Sequence, residues 1–152
     1  LISKIKYLGH KEAAIVIGKW MGQELKPFGW HQMVDLIVPV PLHPKKLRSR
    51  GFNQAELFAK GIAESLGKPI STKCLQRHTF TRSQTSMTRY ERFKNVEKAF
   101  RINSLEHFKG KRILLVDDVI TTGSTIEACA NMLLTVPNAT VNVASMAYAS
   151  SC

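Results

Sequence analysis

The chain has 152 residues, 44% hydrophobic and 22% charged, which is enough for one compact domain with a buried core and too little for two. Its 22 Lys and Arg against 11 Asp and Glu leave a formal charge of +11, so the expected partner is anionic: nucleic acid, acidic lipid or a polyphosphate. The longest apolar runs, Ala13 to Ile17 and Ile113 to Val116, fall far short of the roughly 20 residues of a membrane-crossing helix. No signal-peptide pattern is present, and the missing initiator Met points to a longer gene product. Cys74, Cys129 and Cys152 are too widely spaced for a disulfide framework or a zinc site, so the expected compartment is the reducing cytoplasm.

Ile5, Leu8, Ala13, Ile17, Trp20 and Met21 recur at helical spacing and predict a helix over residues 3–24, closed by the Lys-Pro-Phe-Gly stretch at 26–29. Trp20 and Trp30 are expected to be packing residues rather than nucleobase stackers. Leu36 to Val40 predicts a buried strand of a parallel sheet, with Pro39 either ending it or facing outward. Asn53 to Leu66 carries Ala55, Leu57, Phe58, Ala59, Ile62, Ala63 and Leu66 on an amphipathic pattern, closed by Gly67, with Asn53 as N-cap and Glu56 completing a variant capping box. Cys74 to His78 predicts a short strand. Thr79 to Arg92, rich in Ser, Thr, Gln and Arg without apolar period, predicts a long functional loop. Arg112–Val116, Ile126–Leu134 and Thr140–Met146 predict a strand, a helix and a strand. The alternation predicts an α/β fold with a central parallel sheet flanked by helices. His31, His78 and His107 lack a partner at recognisable spacing and are read as surface or structural.

The sharpest chemical signal is ILLVDDVITTGST at residues 113–125, a strand running into two acids and then a hydroxyl-and-glycine loop that opens a helix. Backbone N–H groups of Thr121 to Thr125 at such a helix start can cradle a phosphate, and Gly123 permits close approach and positive φ. Asp117 and Asp118, adjacent on a strand, would point to opposite faces, so they are expected where the strand is already turning. Two carboxylates beside a phosphate cradle suit a polyol or a hard cation, hence a ribose phosphate with Mg2+. The plainer alternative is a solvated turn with Ser124 and Glu127 as a capping box. A second basic signal, HPKKLRSR at 43–50, suits a polyphosphate or a solvated basic loop.

The 113–125 string resembles the PRPP-binding signature of type I phosphoribosyltransferases. VPVPLHPKKLRSRGFNQAELFA at 38–59, RHTFTRSQTSMTRYERFKNVEKAF at 77–100 and KIKYLGHKEAA at 4–14 are similar to the ComF competence branch of that superfamily. Unlike ComF members with a four-cysteine zinc ribbon upstream, these residues show no such module. The resemblance implies an N-terminal helical or hood segment at 1–30 and a phosphoribosyltransferase-like core at 31–152, single-domain overall. It implies that Asp117 and Asp118 contact the ribose hydroxyls or Mg2+, directly or through water, and that Thr121, Thr122, Gly123, Ser124 and Thr125 bind the 5′-phosphate. Leu42, His43, Lys45, Lys46, Arg48 and Arg50 would take pyrophosphate, and the loop residues Arg77, Gln84, Arg89 and Arg92 would close over PRPP, with Arg89 counted as catalytic. Two functions stay open. One is Mg2+-dependent transfer of phosphoribosyl from PRPP to an unknown acceptor. The other is a DNA-uptake accessory role in natural transformation, binding single-stranded DNA and working with the DNA-uptake helicase machinery, with Phe52, Phe80, Tyr90 and Phe93 as candidate stackers.

Overall fold

The computed structural model describes residues 10–78 and 99–149. Helix α1 (His10–Leu25) runs through a short 3-10 turn (Lys26–Phe28) into α2 (Trp30–Met33) and then strand β1 (Leu36–Pro39). Helices α3 (Pro44–Arg50) and α4 (Gln54–Leu66) follow, then strands β2 (Leu75–Arg77), β3 (Phe100–Ile102) and β4 (Arg112–Ile120), helix α5 (Ser124–Leu134) and strand β5 (Thr140–Tyr148). The described part of the helix predicted at 3–24 is thus α1, and residues 1–9 lie outside the described residues.

The central sheet has the order β1-β4-β5, all parallel, with Leu36 opposite Ile113 and Arg112 opposite Thr140. Beside β1, Ile37 bridges Ile70: the Ile37 N–H donates to the Pro69 carbonyl at 3.0 Å and the Ser71 N–H to the Ile37 carbonyl at 2.8 Å. This explains Pro39. Strand residues alternate their peptide groups between edges, so Pro39 shares the Ile37 edge, beyond the bridge, where no ladder donor is required. Val40 keeps the pairing to β4, its N–H donating to the Val116 carbonyl at 2.8 Å. Strand β3, which the sequence did not reveal, pairs antiparallel with β2 in a separate two-stranded sheet. The His78 N–H donates to the Ala99 carbonyl at 2.7 Å, so this stem brings together the two ends of segment 79–98, which lies outside the described residues.

Alternation along β4 builds two cores. Ile113 and Leu115 pack with Leu36, Val38, Leu75, Phe108, Cys129 and Leu133 on one face, and Leu114 and Val116 with Ile37, Phe58, Ala59 and Ile62 on the other. Each of the large side chains so buried contributes roughly 1.5–3 kcal/mol. Helix α4 presents that second face because Phe58, Ile62 and Leu66 recur at helical spacing, and it stops where Gly67 adopts φ 65° and returns its N–H to the Ala63 carbonyl. Helix α1 crosses α4 closely at two glycines: a Cβ on Gly18 would strike the Phe58 carbonyl, and one on Gly61 the Ile15 carbonyl. Gly22 lies against Ile62 and Ser65, and Lys11 Nζ sits 5.1 Å from the Phe52 ring, so the two helices run parallel and start at the same edge. Trp30 packs against the second core as expected, whereas Trp20 is 48% exposed, because its position falls outside the stripe that meets α4. Among the described residues no helix is long and apolar enough to cross a membrane.

Candidate functional site

Parallel pairing makes β1 and β4 end at the same edge of the sheet, which brings the loop after β1 beside the loop after β4. This is the crevice position where open α/β sheets bind ligands. Contrary to the expected early turn, β4 does not bend at the two acids but runs on to Ile120, held by β5 through Val119 opposite Ala147 and Ile120 opposite Tyr148. Strand parity therefore sends Asp117 to the Ile113 and Leu115 face and Asp118 to the other. The two stay linked through the backbone: the Asp118 N–H donates to Asp117 Oδ1 at 2.9 Å, and the Val119 N–H to Asp118 Oδ1 at 3.0 Å. Asp117 is buried, and its pKa rises from an ordinary 3.8 to about 7, first through loss of solvation and then through a hydrogen bond and the charge of Asp118.

Two further groups stand around Asp117 on that face. The Arg77 guanidinium, at the end of β2, lies 5.4 Å from the Phe100 ring; burial lowers its pKa, and Cys129 and Asp117 oppose that shift. The Cys129 thiol is pushed well up, mainly by burial and then by Asp117. Cys129 carried no functional signal in the sequence, since it lies twelve positions from Asp117 on a helix that only the tertiary fold lays against β4.

The cradle after β4 forms at the helix start. Helix α5 begins at Ser124, two residues before the predicted boundary, and its N-cap is Gly123 with φ 80°, a conformation that favours glycine. The Ser124–Glu127 capping box does not form: the N-cap is a glycine, the Ser124 N–H is directed at Thr122 Oγ1 at 3.5 Å, and the Glu127 N–H makes the ordinary helical bond to the Gly123 carbonyl at 2.9 Å. Thr122 Oγ1 and Ser124 Oγ lie 2.9 Å apart. A hollow of about 40 Å3 is bounded by Asp117, Thr121, Thr122, Gly123, Ser124 and Thr125. Val119, Ile120 and Ile126 complete the lining, so the hydroxyls, the backbone N–H groups and the Asp117 carboxyl stand among three apolar side chains.

The stretch read as a basic loop is instead a helix, α3, because Pro44 at its first position is preset for helical φ and His43 caps it. His43 is buried; its Nδ1 accepts the Lys45 N–H at 3.1 Å, which leaves Nε2 to donate to the His78 carbonyl at 3.3 Å. His43 thus ties the loop after β1 to the stem of segment 79–98, a pairing invisible in the sequence because the partners are 35 positions apart. It also gives His78, read as a lone surface histidine, a structural use through its carbonyl. Lys45, Lys46, Arg48 and Arg50 are all exposed on α3, and Leu42 is half-buried. Asn53 is the N-cap of α4 in position, yet the predicted box is absent: its Nδ2 donates to the Val40 carbonyl at 3.0 Å and Glu56 pairs with Lys60 at 2.8 Å. Gln84, Arg89 and Arg92, with Phe80, Tyr90 and Phe93, lie outside the described residues.

Residues 53–152 match the Phosphoribosyl transferase domain model. The chain belongs to this family. Among relatives of this phosphoribosyl transferase domain, the DNA utilization protein YhgH of Salmonella typhimurium is 32% identical over 146 residues, covering 94% of this chain and 63% of that protein. Competence protein F of Haemophilus influenzae is 34% identical over 103 residues, covering 67% of this chain and 45% of that protein. These relatives bear out the ComF-branch resemblance, and the chain spans 63% of the length of YhgH. A hypoxanthine phosphoribosyltransferase from Staphylococcus aureus superposes with a TM-score of 0.55 at 13% identity, over 93% of this chain and 68% of that one, a likeness of fold. The predicted α/β architecture with a central parallel sheet is therefore correct.

Proposed function

We propose that this domain binds PRPP with Mg2+ and transfers its phosphoribosyl group to an acceptor, releasing pyrophosphate. The observation that carries this reading is the pair of acids near the end of β4, Asp117 buried and Asp118 half-buried, beside the glycine-opened start of α5, one strand away from the cationic helix α3. In this reading the N–H groups opening α5 and the hydroxyls of Thr121, Thr122, Ser124 and Thr125 hold the 5′-phosphate. Asp117 and Asp118 accept hydrogen bonds from the ribose hydroxyls, and the loop at Leu42 and His43 with Lys45, Lys46, Arg48 and Arg50 takes the pyrophosphate as charge gathers on it.

The acids also suit a hard cation. Each uses Oδ1 for a backbone N–H and keeps a second oxygen, and a cation would offset the charge repulsion that helps to hold the Asp117 pKa up. Because parity puts the two acids on opposite faces, a cation in the hollow would be held by Asp117, with the remaining oxygens from water and phosphate, as is usual for Mg2+. Bound there, Mg2+ would neutralise charge on the phosphate oxygens. As the bond from C1 to pyrophosphate breaks, the bond from C1 to the acceptor forms, and the cations of α3 stabilise the departing anion. Arg77 holds a positive charge near Asp117, and the same reading assigns Gln84, Arg89 and Arg92 to the closing loop, with Arg89 acting on the reacting atoms. The same reading divides the chain into a hood segment at 1–30 and a core at 31–152, with α1 packed on α4 and the second core and starting at the edge where α4 starts.

The test is titration calorimetry with PRPP, with and without Mg2+, on the wild type and on Asp117→Asn/Asp118→Asn, paired with a pyrophosphate-release assay. Micromolar-order, Mg2+-dependent binding that the variant loses supports the reading, and its absence from the wild type refutes it. One observation favours a second reading, an accessory protein for single-stranded DNA: α3 exposes four cations and has no acid. That reading requires salt-steep DNA binding that persists in the Asp variant and falls when Lys45, Lys46, Arg48 and Arg50 are neutralised.

A further inference from the structure

Strand β5 closes one side of the central sheet: it pairs with β4, and no other strand among the described residues pairs with its far edge. The Thr140 N–H donates to the Lys111 carbonyl at 3.0 Å, so alternation turns the peptide groups of Val141, Val143 and Ser145 outward. We infer that this edge is an interface between two copies of the chain, in which β5 pairs antiparallel with β5 about a two-fold axis at Val143 and joins the two sheets into one of six strands.

An open edge is a template for a further strand, and proteins that keep an edge single place Lys or Pro on it. Residues 140–149 carry neither a charge nor a proline. Val143 is 46% exposed, although it points to the same face as Leu115, its fully buried neighbour across the ladder. Parallel strands such as β4 and β5 are joined by a right-handed crossover. At about 100° per residue, that hand puts Ala130 and Leu134 on the flank of α5 that overhangs the outer side of β5. Leu134 is exposed as well, so the free peptide groups are bordered by an apolar strip.

Charge selects the occupant. All 22 Lys and Arg lie within residues 1–112, while residues 113–152 hold three acids, Asp117, Asp118 and Glu127, and no cation. Two copies of a chain with a net charge of +11 repel over most of their surfaces, and the β5 edge lets them meet without cation facing cation. A polyanion has the opposite preference and is drawn to the cationic residues elsewhere. Symmetry then sets the register. Residues whose peptide groups point outward must oppose one another, and a two-fold at Val143 sets Val141 against Ser145 and Val143 against its own copy. Both α5 helices then lie on the same side of the joined sheet, with their Leu134 flanks turned toward each other. None of Val141, Val143 and Leu134 lines the hollow at Thr121–Thr125, so the inference stands independently of the proposed function.

The test is sedimentation velocity of the whole chain over about 1–100 μM, on the wild type and Val143→Lys. It is paired with cross-linking of Val143→Cys and Thr140→Cys by a short thiol-to-thiol reagent, with the wild type and its native cysteines as background. In the inferred register the two copies of residue 143 are directly opposed, with Cβ atoms about 5 Å apart. Residue 140 faces residue 146 instead, which leaves its own copy about 20 Å away. A wild-type dimer that Val143→Lys weakens tenfold or more, that cross-links well at 143 and poorly at 140, and that added salt tightens by screening the repulsion supports the inference. A wild type that stays monomeric over the range, a dimer that Val143→Lys leaves unchanged, cross-linking no greater at 143 than at 140, or a dimer that salt dissolves overturns it. Should Val143→Lys fail to fold, as its melting curve would show, the two cysteine variants decide the matter.

Discussion

Replacing Asp117 by Asn stabilises the fold at neutral pH, and the gain has a defined pH signature. The carboxyl titrates near its ordinary 3.8 in the unfolded chain and at about 7 in the folded one, because burial and Asp118 both disfavour its ionised form. Below about pH 4 the group is protonated in both states and contributes no difference. Between about pH 4 and pH 7 unfolding releases a proton, so stability falls as pH rises, and above about pH 7 the full penalty is in place. The interval from 3.8 to about 7, at about 1.36 kcal/mol per pH unit, amounts to roughly 4 kcal/mol. Solvent reaching the carboxyl from the hollow screens part of it and leaves roughly 2 kcal/mol. The assay is denaturant unfolding of both proteins in chelator at about pH 5 and about pH 8, where groups common to both cancel in the difference. Asp117→Asn should be more stable by roughly 2 kcal/mol at the higher pH and by clearly less at the lower. An equal gain at both pH values, or a loss at the higher one, would refute the account of a carboxylate strained by burial. The same substitution should remove Mg2+-dependent ligand binding, so stability and the proposed function would move in opposite directions.

Gly61→Ala should cost about 1–3 kcal/mol in a thermal or denaturant melt, because its Cβ meets the Ile15 backbone carbonyl, which has no rotamer to yield. His43→Ala should cost about 1 kcal/mol through the lost cap on α3, and His43→Asn, which can still accept the Lys45 N–H, should recover most of it. Thr122→Ala with Ser124→Ala should weaken ribose 5-phosphate binding about tenfold with an unchanged melting temperature, since their hydroxyl pair is exposed. Neutralising Lys45, Lys46, Arg48 and Arg50 with Gln should lower the salt slope of any single-strand binding by about 3, read as log affinity against log salt. A slope that does not move would place that binding elsewhere.

Much of the scaffold was legible in the sequence because it is locally encoded. Leu36 to Val40 and Ile113 to Val116 could only be buried strands, and the helix over Asn53 to Leu66 follows from its apolar spacing and Gly67. The cradle at Thr121 to Thr125 was legible for the same reason, since a strand, a glycine and a helix start are consecutive in the chain. Its details were not. Asn53 and Ser124 both looked like members of capping boxes, yet Asn53 bonds the end of β1 and Ser124 follows a glycine cap, because a nearby acceptor or a positive φ outcompetes the local motif. The end of β4 was placed too early because the pairing of Val119 and Ile120 depends on β5, twenty or more residues away. Groups that meet only through folding were beyond any spacing rule: Cys129 and Arg77 around Asp117, and His43 on the carbonyl of His78. The sequence by itself determined strands β1, β2, β4 and β5, helices α1, α4 and α5 and the glycine turn that opens α5, which are set by contacts a few residues long. Only the tertiary structure decided how buried Asp117 is, which groups surround it and which strand lies at the open edge of the sheet, because burial and charge at a site are sums over neighbours that the chain brings from far apart.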